Sequence, residues 1–173
     1  LECHSLLPQK IIIPGRMEAL VYSCHYAEPY RKAGYNVLVI DGRAHGKSDG
    51  KINSLGYKEY RDVLKWAQLL HEELNNKYVL LHGICIGSST SMFAATHPDC
   101  PDYVAGLVVD GMYRRFYDTL RLHMVHDNRP LFPFLQETSL LIWLISGANI
   151  ITDGPGKRIR GLKKPILFIH SKE

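Results

Sequence analysis

The sequence predicts an α/β fold, a mostly parallel sheet with helices on both faces, and three observations carry that prediction. Short apolar runs bounded by Gly, Pro, Asp or Asn alternate with longer stretches of helical periodicity. One of those runs passes straight into a helix through a Gly-x-Cys-x-Gly corner. A length of 173 residues, 46% of them hydrophobic, is enough for one domain with a buried core.

The strand-like runs are Lys10 to Ile13, Asn36 to Ile40, Tyr78 to Leu81, Val104 to Val109 and Pro165 to Ile169. They are too short for helices and rich in β-branched residues or Leu, as buried strands require. The clearest helix runs from about Ser54 to Leu74. There Tyr60, Val63, Leu64, Ala67, Leu70 and Leu74 recur at spacings of three and four, making one buried stripe. Ser54 is its expected N-cap and Asn75-Asn76 its stop. A second helix covers Gly87 to His97 and ends before Pro98. Alternating strands and helices imply βαβ units, with functional groups gathered at the carboxyl ends of the strands. From about Met112 to Arg160 the alternation stops. This aromatic, Leu-rich stretch is broken by Pro130, Pro133 and Gly147. It predicts a small helical cap on a core of residues 10–111 and 161–173, all within a single domain spanning 1–173. The chain begins at Leu1 and ends at Glu173, directly after a strand-like run. That pattern predicts a truncated fold, because a domain stopping on this strand leaves a bare sheet edge.

Charge and cysteine usage narrow the function classes. A net charge of +4 is mild. The densest basic stretch (Lys157, Arg158, Arg160, Lys163, Lys164) has no interleaved aromatic residues. It reads as a solvated loop, so no nucleic-acid partner is expected. Cys3, Cys24, Cys85 and Cys100 show no C-x-x-C spacing, which gives neither a metal pattern nor a disulfide framework and fits the cytoplasm. No apolar run approaches the ~20 residues of a membrane span. Gly42 to Ser48 has one residue too few between its glycines for a phosphate-binding P-loop. His123, His126 and Asp127 have a metal-like spacing without a further partner, so no metal or cofactor is expected. His25, His45 and His82 read as structural or surface residues, and Tyr113, Phe116 and Tyr117 as packing in the cap.

The corner Gly83-Ile84-Cys85-Ile86-Gly87 carries the chemistry. A nucleophile on a sharp strand-to-helix turn needs neighbours two positions away without side chains. The helix beginning there turns its free N–H groups and positive dipole end toward the sulfur, an environment that suits thiolate. The alternative is a buried structural cysteine in a tight turn.

This segment resembles the nucleophile elbow of α/β-hydrolases, with Cys85 where serine is usual and cysteine as in dienelactone hydrolases. A second stretch, Asp41-Gly42-Arg43-Ala44-His45-Gly46-Lys47-Ser48-Asp49-Gly50, resembles that superfamily's Asp-x-Arg-Gly-x-Gly-x-Ser-x-Gly loop, with Ala44 replacing a glycine. A third, Pro14-Gly15-Arg16-Met17-Glu18, occupies the place of His-Gly-x-x-Glu, with Pro14 for histidine, and looks closest to the lysophospholipase and monoglyceride lipase branch. The resemblance implies an oxyanion hole formed by the backbone N–H groups of Arg16 and Ile86. It also implies a triad acid just after Glu173 and a histidine later still; Glu173 and Asp110 are alternatives for the acid. The implied activity is hydrolysis of an ester, thioester or lactone, a small-molecule acyl substrate, through an acyl-cysteine intermediate. A catalytically inactive hydrolase-like binding protein and a redox-sensing thiol are the other two readings.

Overall fold

The computed structural model describes residues 8–16 and 19–171. Five strands among them form one sheet: β1 (Gln9–Ile13), β2 (Asn36–Val39), β3 (Val79–Ile84), β4 (Val104–Asp110) and β5 (Ile166–Ile169). Every pairing is parallel and the order is β2-β1-β3-β4-β5. The expected α/β class holds, with each strand within a few residues of its apolar run. Parallel neighbours need crossovers, and helices supply them: α1 (Leu20–Ser23) and α2 (Ala27–Lys32) between β1 and β2, α3 (Tyr60–Glu72) before β3, and α4 (Ile86–Thr96) before β4.

On one face of the sheet Ile11, Ile13, Val79, Leu81 and Val104 meet Val63, Ala67 and Leu70 of α3 and Ala94 of α4. The predicted stripe is the buried one, but the helix under it starts later. Ser54 is not its N-cap, because residues 55–59 form turns and α3 begins at Tyr60. The reason is Glu59. Its carboxylate, almost fully buried, accepts from the Ser54 N–H (2.9 Å), the Ser54 hydroxyl (2.6 Å) and the Gly56 N–H (2.9 Å), fixing that turn. The far end stops as expected: Asn75 has φ 50° and the Asn76 amide donates to Leu70 O (2.9 Å).

The opposite face holds an unusual polar group. Lys10 on β1 and His82 on β3 are 2% and 3% exposed, beneath Tyr30 of α2. The Lys10 ammonium sits 3.8 Å from the Tyr30 ring centroid, and the Tyr30 hydroxyl shares a 3.1 Å hydrogen bond with His82 Nδ1. Burial, reinforced by the Lys10 charge, pushes the His82 pKa down to about 4. Burial also lowers Lys10 to about 8. Unfolded histidine binds its proton near pH 6.5, whereas folded His82 resists until about 4. Stability is therefore fully present above pH 6.5 and lost as pH falls toward 4, by up to about 3 kcal/mol. Urea unfolding at pH 7 and pH 4 should show His82→Leu losing about 2–3 kcal/mol less than the parent chain over this interval. Equal losses would remove His82 as the cause.

The stretch expected to form a cap contains α5 (Phe116–His126), α6 (Phe134–Ser146) and the single-turn α7 (Pro155–Arg158). Phe116, Ala148 and Ile150 pack against Leu55 and Ile86, which brings this segment over the start of α4. β5 forms the edge of the sheet, with Leu167, Phe168 and Ile169 exposed.

Candidate active site

The turn from β3 into α4 holds Cys85 at φ 51°, ψ −108°, a conformation a side-chain-bearing residue adopts only when its surroundings impose it. Those surroundings are visible. The Cys85 N–H donates to Asp110 O (2.8 Å), tying the turn to the end of β4. The Ser88 hydroxyl donates to Gly83 O (2.7 Å) and Asp110 O (2.9 Å). The flanking glycines are required by contact. A methyl group on Gly83 would overlap the backbone of Gly87, and one on Gly87 would overlap Ile13 O and lie 2.7 Å from Pro14 O. The Gly87 clash shows how closely the end of β1 passes the first turn of α4, bringing the Pro14-Gly15-Arg16 turn beside Ile86.

Cys85 is exposed and carries no disulfide. Ile86 is the first residue of α4, where an N–H has no acceptor within its helix. Arg16 is exposed in the turn after β1. The structure thus brings Cys85, Ile86 and the Arg16 turn to one end of the sheet. It brings no triad partner to the sulfur: among the described residues, no histidine hydrogen-bonds Cys85. Asp110 ends β4 as expected, and it is the backbone carbonyl that serves the corner, accepting from Cys85 and Ser88. Met17, Glu18 and Glu173 lie outside the described residues, as does Cys3.

The Asp41–Gly50 loop is held by its own polar groups. The Asp41 carboxylate accepts from the Leu20 N–H (2.6 Å) and the Lys47 N–H (3.1 Å), and the Ser48 hydroxyl donates to Asp41 O (3.0 Å). Arg43 makes a two-pronged pair with Asp62 of α3, one prong at 2.8 Å, and that carboxylate raises the Arg43 pKa further. Tyr113 packs edge-on to Phe116 (5.6 Å between centroids) in the cluster around Ile86. Its hydroxyl is buried without a hydrogen bond, and the nearby Ser89 hydroxyl donates to Leu55 O (3.0 Å). Burial raises the Tyr113 pKa; the Ser89 contact opposes this and the Cys85 side chain adds to it.

A cavity of about 470 Å³ opens between the ends of β1 and β2 and helix α3. Arg16 and Ile86 line it; Cys85 does not. The sequence reading missed this feature. The signal for it was present in Trp66 and Leu69, apolar residues off the buried stripe of α3, which line the cavity at 39% and 37% exposure. Among the described residues no three His, Cys, Asp or Glu side chains converge as metal ligands. No described helix is long and apolar enough to cross a membrane.

Comparison with known proteins adds relatives to this geometry. A family profile described as alpha/beta hydrolase fold matches residues 11–144. The uncharacterized protein YqkD of Bacillus subtilis (strain 168) is 31% identical over 166 residues, covering 94% of this chain and 54% of that protein. Lysophospholipase L2 of Escherichia coli (strain K12) is 29% identical over 106 residues, 55% of this chain and 30% of that enzyme. This chain therefore spans about half, or less, of the length of these relatives. Among solved structures, the Pyrococcus furiosus esterase Pf2001 superimposes with a TM-score of 0.67 at 24% identity, over 93% of this chain and 60% of that one. DcsB, solved with a substrate analogue, gives 0.56 at 23% identity over 70% and 44%. At these identities the two structures speak to the fold alone.

Proposed function

Because this chain belongs to the α/β-hydrolase fold family, we propose that it is a hydrolase that cleaves an ester, thioester or lactone through an acyl-cysteine intermediate on Cys85. One observation carries the proposal: an exposed thiol held at φ 51° at the head of a buried helix, on a corner whose glycines tolerate no side chain. Strain of this kind costs about 1–3 kcal/mol and concentrates at functional sites. A buried structural cysteine needs neither the strain nor the exposure. The relative named lysophospholipase supports hydrolase chemistry.

In the proposed reaction the Cys85 sulfur attacks the carbonyl carbon, and the oxygen takes up the displaced electron pair. The N–H groups of Arg16 and Ile86 hold that oxyanion; one such donor is worth about 3 kcal/mol in the transition state. As the oxyanion collapses, the bond to the leaving alkoxide or thiolate breaks, and a histidine returns to the leaving group the proton taken from the thiol. Water then adds to the thioester and gives its proton to the same base. The carboxylic acid departs and the thiol is restored. That histidine and its acid partner are assigned to the part of the longer relatives that this chain does not span. Cys24, Cys85 and Cys100 carry no disulfide, and a reducing cytoplasm suits a mechanism that needs a free thiol.

The missing histidine contact favours a second reading, a hydrolase fold that binds without turnover. Treatment with a chloromethyl ketone, followed by intact mass and peptide mapping, separates the two. Cys24 is also exposed and serves as the internal standard for an ordinary thiol. A nucleophilic Cys85 should be alkylated at least ten-fold faster than Cys24, and Cys85→Ala should abolish that adduct. Equal rates at the two cysteines would sink the catalytic reading.

A further inference from the structure

We propose that the outward face of α6 is a self-association surface, on which two copies of this chain pair their α6 helices antiparallel about a two-fold axis. The proposal does not depend on the acyl-cysteine reading.

The apolar side of α6 faces outward. Its buried residues are Leu135, Ser139 and Ser146, and each serine satisfies its hydroxyl on the carbonyl one turn back (2.6 Å to Leu135 O and 2.6 Å to Ile142 O). Phe134, Leu140, Leu141, Trp143, Leu144 and Ile145 are all more than half exposed. A surface helix that meets only water shows the reverse pattern. From Leu140 to Ile145 every residue is aliphatic or aromatic, and Phe132, just before the helix, is 78% exposed.

Area and charge choose the occupant. Large side chains of roughly 150–250 Å² each, open to this degree, present on the order of 800 Å² of apolar surface along one helix. The largest apolar patch on a typical monomer is about 300–600 Å², whereas each partner in a standard interface buries about 800 Å². A bilayer surface does not match the charge. Helices that lie in a membrane interface carry Lys and Arg on their polar face, whereas α6 has neither and Glu137 is its single charged residue. Phe, Trp and few charges are instead the composition of an interface centre between proteins.

A two-fold axis sets this face against itself with no charge to oppose. Centring the crossing on Leu140–Ile145 places Leu141 of one copy against Leu144 of the other. The same register carries Gln136 and Glu137 past the end of the opposing helix, to the solvated rim. Phe134 of each copy then reaches the level of Ile151 of the other. There a groove of about 280 Å³ is open, with Leu140, Trp143, Ile150 and Ile151 in its walls beside the polar Gln136 and Asn149.

Sedimentation velocity tests the pairing on the full 173-residue chain. Reducing buffer excludes cross-linking through the exposed Cys24 and Cys85. Between about 1 and 100 μM the monomer should pass into a dimer. Leu144 is exposed enough to accept a charge in the monomer. Leu144→Glu should therefore weaken the dimer at least about a hundred-fold with an unchanged circular dichroism spectrum. Leu141→Lys should do the same, and mixing the two variants should restore a dimer, because the register sets the new carboxylate against the new ammonium. The rival surface is the β5 edge, so Leu167→Glu is the control and should leave the dimer intact. A chain that stays monomeric, a dimer that survives Leu144→Glu or falls to Leu167→Glu, or no recovery on mixing overturns the proposal. So does binding to phosphatidylglycerol vesicles by a chain monomeric without them, if Leu144→Glu abolishes it; a bilayer then replaces the second copy.

Discussion

Gly87→Ala should cost the chain more than 4 kcal/mol in urea unfolding, or prevent it from folding at all. The new methyl group would stand within the radius of the Ile13 carbonyl oxygen and 2.7 Å from that of Pro14. Neither oxygen belongs to a flexible side chain. Ile13 ends β1, whose residues pair with β2 on one side and β3 on the other, so retreat means unpairing the centre of the sheet. Losses of this size are rare for single substitutions and arise when backbone has no room to yield. Gly42→Ala is the control, because its new methyl would meet nothing nearer than Asn53 Nδ2 at 3.9 Å. It should change stability by no more than about 0.5 kcal/mol. If Gly87→Ala behaved like Gly42→Ala, the close approach of β1 to α4 would be wrong, and the shared position of Arg16 and Ile86 with it.

Glu59→Ala should destabilise by about 3 kcal/mol, measured by the same unfolding curves. The Glu59 residue is 5% exposed and its carboxylate accepts three hydrogen bonds from the turn. Removing it strands the Ser54 and Gly56 N–H groups in a buried site, at roughly 1–3 kcal/mol for each unsatisfied group before relaxation. Glu59→Gln should recover little, since the amide turns N–H donors toward N–H donors. The turn also carries Leu55, which packs on Ile86 and whose carbonyl receives the Ser89 hydroxyl. Loosening it should therefore slow Cys85 alkylation as well as lower stability. A Glu59→Ala chain as stable as the parent would show that the turn holds without its carboxylate.

Both predictions turn on residues whose types were plain in the sequence and whose reasons were not. Gly83 and Gly87 stood out by their spacing about Cys85, since a strained turn demands small neighbours two positions away. Glu59 lay within the helix expected from about Ser54 to Leu74, with nothing in the local pattern to mark it out. Only the folded turn shows why α3 begins at Tyr60 and not near Ser54: a buried carboxylate binds the turn's donors more effectively than Ser54 would cap a helix.

The class of fold, the five strands, the buried stripe of α3 and the corner at Cys85 were legible in the residues alone. These are local properties, set by the period of apolar residues and by turn chemistry within a few positions. The rest came from contacts made on folding. Folding brought Pro14-Gly15-Arg16 beside Ile86, buried Lys10 and His82 under Tyr30, paired Arg43 with Asp62 beside the α3 cavity, and left Trp66 and Leu69 to line it. Each of these joins residues far apart in the chain. Whether a charge is paired or a cavity stays open depends on which distant groups arrive beside it, and no local pattern of residues encodes that.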